Sequence, residues 1–116
     1  MPSRSLFFIL VSFSAALLTA CGAATSGKVT LKLENMRFDQ SEVRVKAGEP
    51  VSFNLVNKDG YGHSFDLDEF DLHLPLAAKE VSQVNFTPTR PGSYVFYCAS
   101  PGHEAAGMVG TLIVSP

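Results

Sequence analysis

The chain has 116 residues, which is enough for one domain and too few for two. Hydrophobic residues make up 46% and charged residues 17%, the balance of a globular rather than a disordered chain. A formal net charge of −2 at pH 7 excludes the strongly basic class of nucleic-acid-binding proteins.

The first twenty residues have the pattern of a secretory signal peptide. Arg4 gives a positive start, an apolar run extends from Leu6 to Leu18, and small residues then lead to Cys21. The run is shorter than the roughly 20 residues that a spanning helix needs. We therefore predict a cleaved signal peptide, with an uncleaved anchoring helix as the alternative.

The segment Leu18-Thr19-Ala20-Cys21 resembles the bacterial lipoprotein signal. This resemblance implies that residues 1–20 are removed and that Cys21 carries lipid, and several acyl chains make a durable anchor. An ordinary cleavage site beside a cysteine is the alternative. We expect an exported lipoprotein that faces the periplasm or the cell exterior, with residues 21–27 as a flexible tether.

Residues 28–116 alternate between apolar and polar side chains with a period of two. The alternating runs cover 29–33, 43–45, 51–55, 63–67, 84–86, 94–98 and 112–114, and turn-forming sequences lie at 47–50, 57–60 and 88–92. This pattern predicts an all-β sandwich or barrel. We expect at most one helical turn, within residues 72–80. The inward strand positions place a set of phenylalanines in the core: Phe38, Phe53, Phe65, Phe86 and Phe96.

The chemistry is concentrated in the segment from Cys98 to Met108. Cys98, His103 and Met108 follow one another at intervals of five residues. If Cys21 carries lipid, Cys98 is an unpaired thiol in an oxidising compartment, a liability unless something occupies it; a buried structural cysteine is the alternative. Thiolate and thioether are soft ligands, and two histidines, one cysteine and a weak axial methionine form the blue-copper arrangement.

A second histidine ligand has two candidates. His63 starts an alternating run and shares its inward parity with Phe65 and Leu67, so its ring is aimed at the end of the core. His73 lies between two leucines in a connection without a clear face, where an exposed histidine is the simpler interpretation. We therefore select His63.

Residues 28–116 resemble the cupredoxins, the small blue-copper proteins that include plastocyanin and azurin. The resemblance rests on Val45-Lys46-Ala47-Gly48, Gly62-His63-Ser64-Phe65, Pro91 through Cys98, and Cys98 through Met108 followed by Val109-Gly110-Thr111. It implies a Greek-key sandwich that binds one copper ion, cycling between Cu(I) and Cu(II), through His63, Cys98, His103 and Met108. The spacing from cysteine to histidine is similar to azurin and the spacing from histidine to methionine to plastocyanin, which leaves the axial Met108 bond length unpredicted.

Five further residues are expected to support the ligands. Ser64 stands where the family commonly has an asparagine that braces the ligand loop, and the Gly62 carbonyl could approach the copper axially. Pro101 and Gly102 shape the turn before His103, and Gly107 lets the backbone pass close to Met108.

The predicted function is electron transfer rather than enzymatic turnover, because no additional histidine cluster exists for a second, open copper site. Copper delivery to exported cuproenzymes is the alternative. We expect a monomer that docks briefly, through apolar residues around His103, with a redox partner such as a c-type cytochrome or an oxidase. An acidic cluster could steer a basic partner or simply be solvated: Asp66, Asp68, Glu69 and Asp71.

Overall fold

A computed structural model describes residues 27–116. The predicted signal peptide, the lipid-bearing Cys21 and most of the tether lie outside the described residues. The described part contains a 3₁₀ turn at Asp68–Phe70 and nine strands: β1 (Gly27–Glu34), β2 (Arg37–Phe38), β3 (Glu42–Lys46), β4 (Val51–Asn57), β5 (His63–Leu67), β6 (Leu72–Leu76), β7 (Val81–Phe86), β8 (Gly92–Tyr97) and β9 (Val109–Ser115). Over residues 27–116, no helix has the length and apolar character needed to cross a membrane.

The strands form two sheets, and the predicted all-β sandwich is confirmed. One sheet has the order β2-β1-β4-β7 and the other the order β3-β9-β8-β5-β6. The pairs β1–β4 and β3–β9 are parallel, whereas the other pairs are antiparallel. In β4 each residue of one parity is buried, because those side chains all point to the inner face of the sheet.

The core between the sheets is built around aromatic rings, as the alternation predicts. Phe53 and Phe65 lie with ring centroids 5.4 Å apart, and Phe96 lies 5.5 Å from Phe65. Phe38 packs edge-on against Phe96 at 5.0 Å, and the partly buried Phe86 stacks on Phe53 at 5.6 Å. Full burial of one such side chain contributes about 1.5–3 kcal/mol, so this cluster is a large source of the stability of the sandwich.

Residues 72–80, where the sequence allows one helical turn, form a strand followed by a tight turn instead. Residues Leu72–Leu76 form the edge strand β6, which pairs antiparallel with β5 and places His73 opposite Asp66. Pro75 lies in this strand, and proline is compatible with an edge strand because it has no N–H to donate to a further strand. The strand alternates leucines with His73 and Pro75, so the sequence does contain a period of two. The proline obscures it, because proline usually breaks strands.

Two neighbouring strands of the five-stranded sheet bring the candidate ligands together. His63 begins β5, and Cys98 directly follows β8, which pairs with β5 at Asp66 and Tyr97. The chain then leaves the sheet and returns in β9, which pairs with β8 from Tyr97–Val109 to Gly92–Val114. The segment 98–108 is therefore a loop whose two ends are held side by side at one end of the sandwich.

Substitution of Gly110 by alanine should destabilise the fold. Gly110 lies opposite Phe96 in the β8–β9 pairing, and a Cβ built on it would lie 2.2 Å from Cζ of the Phe96 ring. We expect Gly110→Ala to lower the free energy of unfolding by about 1–3 kcal/mol, the usual cost of overpacking a core. Urea unfolding of the metal-free chain measures this change.

Gly60→Ala is the matched control, since a Cβ at Gly60 meets no atom within 4 Å. Its free energy of unfolding should stay within about 0.5 kcal/mol of the wild-type value. Equal stability of the two variants would contradict the close contact between Gly110 and Phe96.

Candidate metal centre

Three of the predicted ligands converge at one end of the sandwich. The Nδ1 atoms of His63 and His103 lie 3.1 Å apart, and the Cys98 Sγ atom lies 3.9 Å from His63 Nδ1 and 3.5 Å from His103 Nδ1. All three donor atoms lie within 4.8 Å of one another. Each residue thus turns one donor atom toward the same small volume.

These distances fit one metal ion. Metal–nitrogen bonds of about 2.0–2.1 Å and metal–sulfur bonds of about 2.3 Å, the values for zinc, place the donors of a trigonal plane roughly 3.5–3.8 Å apart. The observed separations of 3.1, 3.5 and 3.9 Å bracket that range. Two imidazoles and a thiolate form the plane of a type 1 copper site and are a poor match for calcium or magnesium, which prefer oxygen ligands.

Met108, the predicted axial ligand, lies at the same end of the molecule. Its side chain is fully buried, and its backbone is hydrogen-bonded to both Cys98 and His103. The Cys98 N–H donates to the Met108 carbonyl at 3.1 Å, and the Met108 N–H donates to the His103 carbonyl at 3.0 Å. Together His63, Cys98, His103 and Met108 are arranged as a type 1 copper site.

The loop between Cys98 and Met108 is a series of tight turns rather than a free segment. The His103 N–H donates to the Ser100 carbonyl at 3.0 Å, and the Gly107 N–H donates to the Glu104 carbonyl at 2.9 Å. Gly102 and Gly107 have φ values of +80° and +100°, a backbone conformation that glycine adopts without strain. Pro101 and Gly102 are the two central residues of the first of these turns, and both are exposed.

The candidate ligands differ in their access to solvent. Cys98 is fully buried and His63 is 3% exposed, in agreement with the inward strand parity from which His63 was selected. His103 is half-buried, and its neighbours Ala99, Pro101, Ala105 and Ala106 are exposed. His103 therefore forms the edge of the site that faces solvent.

Ser64 and Asp66 hold the backbone around Cys98. The Ser64 N–H donates to Cys98 Sγ at 3.3 Å, and the Ser64 hydroxyl donates to the same sulfur at 3.7 Å. The Ala99 N–H donates to Ser64 Oγ at 2.8 Å and to Asp66 Oδ2 at 3.1 Å. Ser64 thus contacts the start of the ligand loop, at the position where the sequence predicts a bracing residue. Gly62 lies directly before His63.

Asp66 is not part of an exposed acidic cluster, contrary to expectation. It is 5% exposed and is hydrogen-bonded to the Ala99 N–H, and its Oδ1 atom lies 3.1 Å from His73 Nδ1. Of the four predicted members, Asp68, Glu69 and Asp71 are exposed. A run of acidic residues does not reveal which carboxylate turns inward.

His73 itself lies in β6 with its side chain 53% exposed, and it does not join the metal-binding group.

Asp59 contacts the site, although in the sequence it is only one residue of a turn. Its Oδ2 atom lies 2.8 Å from His63 Nε2 and also accepts the Asn35 N–H at 2.8 Å. Burial alone raises the pKa of the Asp59 carboxyl, but the hydrogen bonds from His63 and the Asn35 N–H outweigh burial and lower that pKa below its ordinary value. The Asp-x₃-His spacing is the sequence signal that points to this contact.

Tyr61 is a second residue that the sequence does not single out. Its ring centroid lies 5.0 Å from that of His63 and 6.0 Å from that of His103, in edge-on contacts. The side chain is partly exposed, and both partial burial and the nearby Asp59 carboxylate raise the pKa of its hydroxyl. Tyr61 therefore covers the histidines on their solvent side.

A β-sandwich that carries one type 1 donor set at its end belongs to the class of small single-copper proteins. A profile of the cupredoxin-like domain matches residues 5–114, and the chain belongs to this family. The chain is 32% identical over 122 aligned residues to the chloroplastic plastocyanin minor isoform of Arabidopsis thaliana, in an alignment that covers 93% of this chain and 69% of that protein.

Two other relatives show the range of the family. The copper-resistant cuproprotein CopI of Rubrivivax gelatinosus is 28% identical over 116 residues, which cover 80% of this chain and 70% of CopI. The solved structure of auracyanin B matches with a TM-score of 0.70 at 25% identity, covering 83% of this chain and 94% of auracyanin B. The implied cupredoxin fold is thus confirmed.

Removal of the Ser64 hydroxyl should loosen the ligand loop. In Ser64→Ala the Ala99 N–H loses its 2.8 Å acceptor and keeps Asp66, and Cys98 loses one donor. We expect the free energy of unfolding of the metal-free chain to fall by about 1 kcal/mol, measured by urea unfolding. Ser64→Thr keeps the hydroxyl and should retain most of the stability; equal loss in both variants would contradict the role of the hydroxyl.

Proposed function

We propose that the protein transfers single electrons through one type 1 copper ion held by His63, Cys98, His103 and Met108. The observation that carries this proposal is the convergence of two imidazole Nδ1 atoms and the Cys98 sulfur at the end of a cupredoxin sandwich. When bound, copper supplies the one-electron change between Cu(II) and Cu(I).

The residues around the site limit the structural change that accompanies such a change of charge. His63 and Cys98 lie at the ends of paired strands, and the loop that carries His103 is held by its own backbone hydrogen bonds. A rigid set of ligands needs little rearrangement when the charge of the site changes. The burial of Cys98 and Met108 keeps water away from the sulfur ligands.

Electron exchange is proposed to occur at His103. This side chain is half-buried within a small exposed surface of alanine and proline residues, and weak redox encounters bury little area. The exposed carboxylates of Asp68, Glu69 and Asp71 favour a basic redox partner such as a c-type cytochrome or an oxidase. We propose that the protein meets this partner as a monomer.

Copper delivery to exported cuproenzymes is the second candidate function. The specific observation in its favour is the similarity to CopI, whose name describes a copper-resistant cuproprotein. The two functions differ in how fast the metal leaves. Slow loss of copper to a chelator and a reversible one-electron wave support electron transfer, whereas rapid transfer of copper to an acceptor protein supports delivery.

We also propose that the protein is a lipoprotein anchored through Cys21 at the outer face of a bacterial membrane. The support is the resemblance of residues 18–21 to a lipoprotein signal after an apolar run. Gly27, the last residue of the predicted tether, is the first residue of β1.

The visible spectrum tests the copper site. Residues 22–116 mixed with Cu(II) should show an intense thiolate-to-copper band, and Cys98→Ser should abolish it because the thiolate is the electron donor of that transition. Ser100→Ala leaves all four proposed ligands in place and is the control that should keep the band. A colourless wild-type protein in the presence of Cu(II) would refute the proposed function.

Mass spectrometry of the protein purified from bacterial membranes tests the anchor. We expect a mature N-terminus at Cys21 that carries acyl chains, and Cys21→Ser should abolish the acylation. A cleaved but unmodified N-terminus would exclude lipidation.

A further inference from the structure

We infer that Asp59 is a positioning residue for the metal centre. Asp59 fixes the orientation and tautomer of His63, and its negative charge lowers the reduction potential of the copper. This inference rests on the proposed function, because it assigns His63 as a ligand. It adds Asp59 to the residues that define the site, as a carboxylate that would not itself bind the metal.

The geometry places the two nitrogens of His63 in different roles. Nε2 lies 2.8 Å from Asp59 Oδ2, while Nδ1 faces Cys98 Sγ at 3.9 Å and His103 Nδ1 at 3.1 Å. A carboxylate can only accept a hydrogen bond, so the proton of the neutral ring lies on Nε2 and Nδ1 keeps its lone pair. Asp59 therefore presents His63 in the form that a metal requires.

Asp59 is itself held in place from several parts of the chain. The Asn35 N–H donates to the same carboxylate oxygen as His63, at 2.8 Å, from a turn whose Asn35 φ is +54°. The Asp59 N–H donates to Asn57 Oδ1 at 2.9 Å, and the Lys79 N–H donates to the Asp59 carbonyl at 3.1 Å. The backbone of Asp59 is thus fixed on both sides, and the carboxylate cannot turn away from His63 without losing its hydrogen bond from Asn35.

Asp59 has little access to water, and its carboxylate is held by hydrogen bonds rather than by a cationic lysine or arginine side chain among residues 27–116. The side chain is 10% exposed and that of His63 is fully buried, so water screens their contact weakly. Within residues 27–116, no lysine or arginine side chain forms an ion pair with Asp59. In the same range, the side-chain hydrogen bonds of His103 involve Nδ1 alone, so the two candidate ligand histidines are supported unequally.

A negative charge beside a ligand favours the more positive oxidation state of the metal. An aspartate is ionised at neutral pH, and its hydrogen bond makes the imidazole a stronger donor. Both effects stabilise Cu(II) relative to Cu(I). The reduction potential should therefore be lower than that of the same site with a neutral hydrogen-bond acceptor at position 59.

The decisive comparison is between Asp59→Asn and Asp39→Asn in the copper-loaded protein. Both variants lose one negative charge and keep a side-chain oxygen as acceptor. Asp39 is exposed and accepts the Lys32 N–H at 2.9 Å, so it reproduces the chemistry of the change away from His63. We expect Asp59→Asn to shift the ratio of Cu(I) to Cu(II) affinity at least tenfold toward Cu(I), a rise in potential of about 59 mV. Asp39→Asn should leave the ratio of Cu(I) to Cu(II) affinity unchanged from wild type.

A second measurement uses the metal-free wild-type chain and does not depend on the variants. Nitrogen-15 NMR of the histidine rings identifies the protonated nitrogen, which we expect to be Nε2 in His63. A proton on Nδ1, or equal potentials for Asp59→Asn and Asp39→Asn with the blue band intact, would overturn the inference. Absence of the blue band in wild type would instead refute the proposed function, while the NMR result would still decide whether Asp59 positions His63.

Discussion

The site depends on one backbone hydrogen bond, from the Cys98 N–H to the Met108 carbonyl. It continues the β8–β9 ladder by one step beyond Tyr97 and Val109, and it closes the ligand loop at its base. Because the loop is pinned there, its internal turns need only place one further side chain, that of His103. Three candidate ligands thus follow from the pairing of two strands.

The fourth candidate ligand reaches the site by a different route. His63 enters from β5, on the opposite side of β8 from β9, and its position is set by strand parity and by contacts with the turn before it. The loop ligands are therefore organised by backbone hydrogen bonds along the chain. His63 is held instead by the side chain of Asp59, which accepts a hydrogen bond from Asn35 in the turn between β1 and β2 of the other sheet. Both sheets contribute to one site.

The elements that sequence reasoning predicts well are those with a local signal. Alternation of apolar and polar residues identifies the core strands, and the same parity turns His63 inward. The five-residue intervals from Cys98 to Met108 identify the loop. In each case the physical cause, a side-chain period or the chemistry of soft ligands, can be read within a few neighbouring residues.

The elements that sequence reasoning misses depend on contacts between distant residues. The strand β6 is not predicted because it contains Pro75. Proline is compatible with a strand only at the edge of a sheet, and the strand order is not evident from the sequence. The burial of Asp66 depends on the Ala99 N–H, 33 residues later. The hydrogen bond from Asn35 to Asp59 spans 24 residues. Propensity alone carries no information about such pairings.

The edges of the five-stranded sheet have a consequence for the behaviour of the protein at high local concentration. One edge is β6, where Pro75 interrupts the row of backbone donors, and the other is β3, whose outward side chains Glu42, Arg44 and Lys46 are all charged. Both features oppose edge-to-edge strand addition from a second molecule, the first step of β-aggregation. The sheet that carries the metal centre can thus be crowded on a surface without polymerising through its edges.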